Sequence, residues 1–227
     1  MKLAIFDVDG TLTKTDGVDD LSIVKAFFDS HQIADIDTDW TKYKYVTDSG
    51  ITLEIFTKSL GREPNEKDYS VLKDCFIKNL SEFASKDKSL FAEIPNAKLM
   101  LENLKAEIDW AIALATGCYF DSAKLKLKQA NINIEDYPNA TADDAVSREE
   151  ILQIAIEKSL KHYRQKEFEK IVSVGDGVWD VRTAKNLGLS FIGIGSGERA
   201  EKLRKEGAEF IIEDFRDYRL FIEYLNK

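Results

Sequence analysis

Asp7-Val8-Asp9-Gly10-Thr11 places two carboxylates two residues apart, directly after the apolar run Leu3-Ala4-Ile5-Phe6. The run predicts a buried strand, and Gly10 lets the backbone turn sharply at its end. Two negative charges this close repel each other, and a divalent cation would offset the repulsion. Such a pair can also divide labour, one carboxylate attacking an electrophile while the other carries a proton. A calcium-binding helix–loop–helix needs a preceding helix and a Glu at its twelfth position. Here a strand precedes, and Val18 stands at that position. A plain turn is the simplest competing reading.

In open α/β sheets, ligands bind beyond the carboxyl ends of the strands. Polar residues following the other apolar runs are therefore expected to converge on Asp7 and Asp9. Thr116-Gly117 follows Ala111-Ile112-Ala113-Leu114-Ala115 and offers a hydroxyl and backbone N–H groups at a helix start, which suit a phosphate oxygen. Gly175-Asp176-Gly177-Val178-Trp179-Asp180 follows Ile171-Val172-Ser173-Val174 and adds two more carboxylates. Asp7, Asp9, Asp176 and Asp180 form an oxygen-only ligand set, which points to Mg²⁺ rather than zinc. Ser147-Arg148-Glu149-Glu150 fits a capping box with Ser147 as N-cap. That puts Arg148 in the first turn of a helix, where the dipole disfavours a cation. A phosphate or the Asp7 carboxylate would explain its placement there; a solvated Arg is the alternative.

The elements that must position these residues follow from apolar patterning. Strands are predicted at Leu3–Phe6, 111–115, 171–174, 191–194 and 210–212, with a short edge strand at 139–142. Ala97, Met100, Leu101 and Leu104 recur at helical spacing, as do Ile151, Leu152, Ala155 and Ile156. Alternating strands and helices imply an α/β fold with a Rossmann-like, doubly wound parallel sheet. Residues 14–93 break the rhythm. They hold helical patterns only, among them Val24/Phe27/Phe28, Leu53/Phe56/Leu60 and Leu72/Cys75/Phe76/Leu80/Phe83. The expected organisation is an α/β core of residues 1–13 and 94–227 with a helical domain of residues 14–93 inserted after the first strand. Hinges are expected near Thr13–Asp16 and Ala92–Pro95.

The chain has 227 residues, 44% of them hydrophobic, which suffices for a sizeable core. Its net charge of −9 argues against a nucleic-acid partner. The basic run Lys158–Lys166 reads as the solvated end of a helix. Cys75 and Cys118 match neither a metal spacing nor a disulfide framework. No signal peptide and no membrane-spanning run is evident, so a cytoplasmic location is expected. Oligomeric state is not encoded in any readable feature. Gly193-Ile194-Gly195-Ser196-Gly197 is glycine-rich, but Glu198 occupies the last position a dinucleotide fingerprint requires, so it reads as a strand-end loop.

Taken together, these motifs resemble those of the haloacid dehalogenase (HAD) superfamily of phosphohydrolases. Asp7–Leu12 is similar to its first motif, Leu114–Gly117 to its second and Gly175–Asp180 to its fourth. The inserted helices match its helical cap in position and character. Where the family usually places a third-motif Lys, this chain offers Arg148; Lys124, Lys126 and Lys128, on the helix after Thr116, are less apt. The resemblance implies that Asp7 attacks phosphorus to form an aspartyl-phosphate, and that Asp9 protonates the leaving oxygen and then activates water. It also implies that Mg²⁺ is held by Asp7, Asp176 and the Asp9 carbonyl with Asp180 behind them, and that Thr116, Gly117 and Arg148 bind phosphoryl oxygens. Retention of Asp9 favours phosphate-ester chemistry over halide displacement or carbon–phosphorus cleavage. The expected function is a Mg²⁺-dependent phosphatase acting on a small phosphorylated metabolite. A beta-phosphoglucomutase-like phosphomutase and a non-catalytic metal- or phosphate-binding module remain alternatives. Trp40, Lys42, Tyr43, Lys44 and Tyr45 could face the substrate or simply pack, and Tyr119 and Phe120 could line the entrance.

Overall fold

A computed structural model describes all residues from Met1 to Lys227. Its centre is a six-stranded, all-parallel sheet in the order β3-β2-β1-β4-β5-β6. The strands are β1 (Lys2–Phe6), β2 (Trp110–Ala115), β3 (Asn139–Ala140), β4 (Ile171–Gly175), β5 (Ser190–Ile194) and β6 (Phe210–Ile212). Strand order reverses beside β1, which lies between β2 and β4. A crevice opens at such a reversal, beyond the carboxyl ends of the strands.

Side chains alternate across the sheet as the two-residue period demands. Ala4 and Phe6 of β1 join Trp110, Ile112 and Leu114 of β2 on one face, covered by α4 (Ala97–Ala106), α5 (Phe120–Gln129) and α9 (Tyr218–Asn226). Leu3 and Ile5 join Ala111, Ala113 and Ala115 on the other, where α6 (Arg148–His162) brings Ile151, Leu152 and Ala155 against them. Three alanines in a row on that face of β2 let α6 lie close. Beside it, α7 (Val178–Asn186) and α8 (Gly197–Glu206) bury Val181 and Leu203.

Between β1 and α4 the chain forms α1 (Asp16–His31), α2 (Asp48–Leu60) and α3 (Glu66–Lys86) and no strand. Thr47 caps α2 by accepting from the Gly50 N–H, and Asn65 with Asp68 makes a capping box on α3. These helices share their own apolar cluster, with Phe27, Phe56, Leu72, Phe76 and Leu80 at its centre. The chain leaves and re-enters the sheet layer side by side: Thr13 bridges to Glu93, and the Lys14 N–H donates to the Ala92 carbonyl at 2.8 Å. No helix is long and apolar enough to cross a membrane.

Candidate active site

Asp7 emerges directly from β1 and its N–H still donates to the Val174 carbonyl of β4, so the sheet itself fixes its position. Gly10, at φ +66°, turns the chain back, and a Cβ on it would collide with the Asp176 carboxylate. The glycine therefore lets the β4 loop close over the β1 loop. Carboxylate oxygens of Asp7, Asp176 and Asp180 lie within 4.8 Å of one another. Asp7 is only 6% exposed, and its Oδ1 has no hydrogen-bond partner. Burial, and next the charge of Asp180, push the Asp7 carboxyl up to about 8 even though Arg148 pulls it down. Burial raises Asp176 and Asp180 too. Two buried carboxylates, one with an orphaned oxygen, and the part-buried Asp176 make a hard-oxygen donor set that suits a divalent cation such as Mg²⁺.

The Asp9 side chain belongs to a different group. Lys126 reaches it from α5, its Nζ 2.6 Å from Asp9 Oδ2, 2.6 Å from Asp19 Oδ1 and 3.1 Å from Cys118 Sγ. The Cys118 thiol and the Thr15 hydroxyl also donate to Asp9. Burial pushes the Asp9 carboxyl up, but Lys126, Cys118 and Thr15 together outweigh it and hold the group below its ordinary value. Lys126 is fully buried, whereas Lys124 and Lys128 point to solvent. Lys126 thus has a role the motif reading did not give it. Its signal lay in helical phase, because it falls on the same face of α5 as the buried Ser122, Ala123 and Leu127.

Thr116 and Gly117 end β2 on the other side of Asp7. The Thr116 hydroxyl accepts from the Cys118 N–H at 3.2 Å. Ser147 caps α6 by accepting from the Glu150 N–H at 3.2 Å, as the sequence predicts, which sets Arg148 at the start of the helix. Its guanidinium is used on several sides. Nε donates to the Val46 carbonyl at 2.8 Å, and Nη1 donates to Asp180 Oδ1 at 2.7 Å while lying 3.8 Å from Asp7 Oδ1. Nη2 lies against Gly117, where a Cβ would stand 2.8 Å from it.

These groups open onto a cavity of about 730 Å³ lined by Asp7, Asp9, Thr116, Gly117, Arg148 and Asp176, with Asp180 buried behind them. Asp16, Asp19, Asp20, Trp40 and Asp48 line it as well, with Asp19 close to Asp9, and α8 contributes Arg199. Arg199 bridges Asp176 at 2.8 Å and Asp16 at 2.6 Å, and the glycine-rich β5–α8 loop delivers it there. None of these wall residues except Trp40 carries a signature readable from sequence alone, since each reaches the cavity only through tertiary packing. Trp40 faces the cavity with its Nε1 donating to Asp20, while Lys42 pairs outward with Asp37. The expectation that Tyr119 and Phe120 line the entrance is corrected. Tyr119 is buried among the α1–α3 side chains with its hydroxyl on Thr52, and Phe120 packs on the sheet core beside a separate hollow.

A family model described as haloacid dehalogenase-like hydrolase matches residues 1–188. The chain belongs to this family. No curated protein sequence matches it significantly. Among solved structures similar to this HAD-like chain is a hydrolase from Pseudomonas syringae, at 20% identity and TM-score 0.74, covering 98% of each chain. A protein from Bacteroides vulgatus, provisionally named beta-phosphoglucomutase, is 15% identical with TM-score 0.70, covering 100% of this chain and 91% of its own. CbbY from Rhodobacter sphaeroides, solved with phosphate, is 18% identical with TM-score 0.70 over 99% of both chains. At these identities the likeness establishes a shared fold.

Proposed function

We propose that the chain is a Mg²⁺-dependent phosphatase that cleaves a small phosphate ester through an aspartyl-phosphate, with α1–α3 as a helical cap over an α/β core of residues 1–13 and 94–227. The observation that carries this reading is the unpartnered Oδ1 of Asp7, set beside Arg148 at the mouth of β1. Asp7, Asp176 and Asp180, with the Asp9 carbonyl, would hold Mg²⁺. When bound, the ion supplies the positive charge that keeps Asp7 ionised and draws charge from the phosphoryl oxygens. Asp7 attacks phosphorus. The Thr116 hydroxyl, the Gly117 N–H and Arg148 Nη2 surround the equatorial oxygens, on which charge is spread in the transition state. Held by Lys126, Asp9 is a carboxylate, the form that accepts a proton from water in the second step. To protonate the leaving oxygen in the first step, Asp9 must first take up a proton from solvent and part from that lysine, and the bond from phosphorus to that oxygen breaks as Asp7 attacks. CbbY, solved with phosphate and, in a mutant form, with xylulose-(1,5)bisphosphate, gives a precedent within the fold for a phosphorylated ligand.

A phosphomutase is the second reading. It is favoured by the seam that joins the start of α2 to the core: the Asp48 N–H donates to the Gly117 carbonyl, the Tyr119 N–H to Asp48, and the Thr47 hydroxyl to the Val146 carbonyl. Such a seam would exclude water from an intermediate. Purified protein is expected to hydrolyse p-nitrophenyl phosphate only with Mg²⁺, and Asp7→Asn to abolish turnover. Activity that survives thorough chelation, or a near-normal Asp7→Asn rate, overturns the phosphatase reading. A sugar phosphate that isomerises without releasing phosphate selects the mutase.

A further inference from the structure

The first turn of α7 supplies Arg148 with more than the Asp180 carboxylate. Trp179 lies one residue before Asp180, and its ring centroid is 5.5 Å from the Arg148 guanidinium carbon. The indole folds back over Gly177, where any Cβ would collide with it. Its Nε1 is buried with no hydrogen-bond partner. An orphaned indole N–H costs free energy, so a hydrogen bond is not what holds the ring. The ring lines both the main cavity and a hollow of about 210 Å³ that takes in Tyr43, Tyr45 and Arg182, and Arg148 borders both as well.

Stacking on an aromatic face is a property of the planar guanidinium; an ammonium on a flexible stem has no plane to orient. With Nε on Val46 and Nη1 on Asp180, two hydrogen bonds orient the guanidinium, and the indole is a third contact against it while Nη2 lies against Gly117. We propose that Trp179 is a positioning residue, a ring that backs Arg148 against displacement so that Nη2 meets a phosphoryl oxygen. On this view the site is built for an arginine, and Trp179 and Gly177 are the adaptation that goes with it. The proposal rests on the phosphatase reading for the identity of the anion, but not for the contact between Trp179 and Arg148 itself.

The test compares wild type, Trp179→Leu, Trp179→Phe, Arg148→Lys and the double variant Arg148→Lys/Trp179→Leu. KM and kcat are measured for p-nitrophenyl phosphate with Mg²⁺, and the affinity for inorganic phosphate by calorimetry. Circular dichroism checks that each variant is folded. Trp179→Leu is expected to weaken phosphate binding and raise KM by roughly tenfold, with a smaller change in kcat. Trp179→Phe, which keeps an aromatic face, recovers most of that loss. In the Arg148→Lys background, Trp179→Leu adds nothing further. Equal losses from Trp179→Leu in both backgrounds, or Trp179→Phe as impaired as Trp179→Leu, overturn the proposal. If the wild type binds phosphate but hydrolyses no ester, the phosphatase reading fails while the calorimetric arm still decides the role of Trp179. If it binds no phosphate at all, both fail.

Discussion

Arg148 shows how much one side chain can be asked to do. Its Nε holds a carbonyl from the α1–α3 segment, and its Nη1 neutralises Asp180 beside Asp7. Removing it leaves Asp180 and Asp7 buried without their nearest cation, so both carboxyls shift further toward the protonated form. Arg148→Ala is therefore expected to weaken phosphate affinity by roughly ten- to a hundredfold, the worth of a charged hydrogen bond. Competition by inorganic phosphate against p-nitrophenyl phosphate measures it. Unchanged inhibition would return Arg148 to a purely structural role. The sequence marked this residue because a cation in the first turn of a capped helix needs a reason. It could not name Val46 or Asp180 as partners, since they lie 102 and 32 residues away.

At the scale of elements, the sheet was legible because both of its faces are buried and its strands read as short unbroken apolar runs. Residues 139–142 were harder: only Asn139 and Ala140 pair, and two residues leave almost no pattern. The helices of the α1–α3 segment are visible as periodicity, but their packing partners are not, and so the position of Tyr119 after Gly117 suggests an entrance where the fold buries it in their core. Lys126 is the sharper case. It breaks the apolar face of α5, and a buried cation in that phase demands acidic partners from elsewhere. Asp9 and Asp19 provide them, one from the β1 loop and one from α1. Lys126 thereby ties the core to the helical segment beside Asp9. Lys126→Met would leave those carboxylates buried and unpaired. Loss of one partner of a buried pair costs about 3–5 kcal/mol, so a fall in thermal midpoint of roughly 6 °C or more is expected. Turnover should fall as well, because Asp9 loses the group that holds it ionised. A Lys126→Met protein as stable as the wild type would show that the network contributes nothing net to folding.

For the molecule as a whole, the acidic trio makes folding and ion binding one problem. Burial, and next the charge of Asp180, push the folded Asp7 carboxyl up to about 8, from an ordinary carboxylate value of 3.8 in the unfolded chain. Between those values the folded state binds more protons than the unfolded state, so this group's contribution makes stability fall as pH rises. Asp7→Asn removes the titration and keeps the neutral form at every pH. In metal-free buffer the variant should therefore match the wild type near pH 4 and become progressively more stable up to pH 8. There a difference of roughly 5 °C or more in thermal midpoint is expected. Adding Mg²⁺ should reverse the order. Ion binding requires ionised Asp7, so stabilisation of the wild type grows with pH while the variant responds weakly. Thermal melts of both proteins from pH 4 to 8, with and without Mg²⁺, measure the four curves. Parallel pH profiles for the two proteins would mean that burial of Asp7 costs the fold nothing, and with that the physical argument for a cation at this site would be lost.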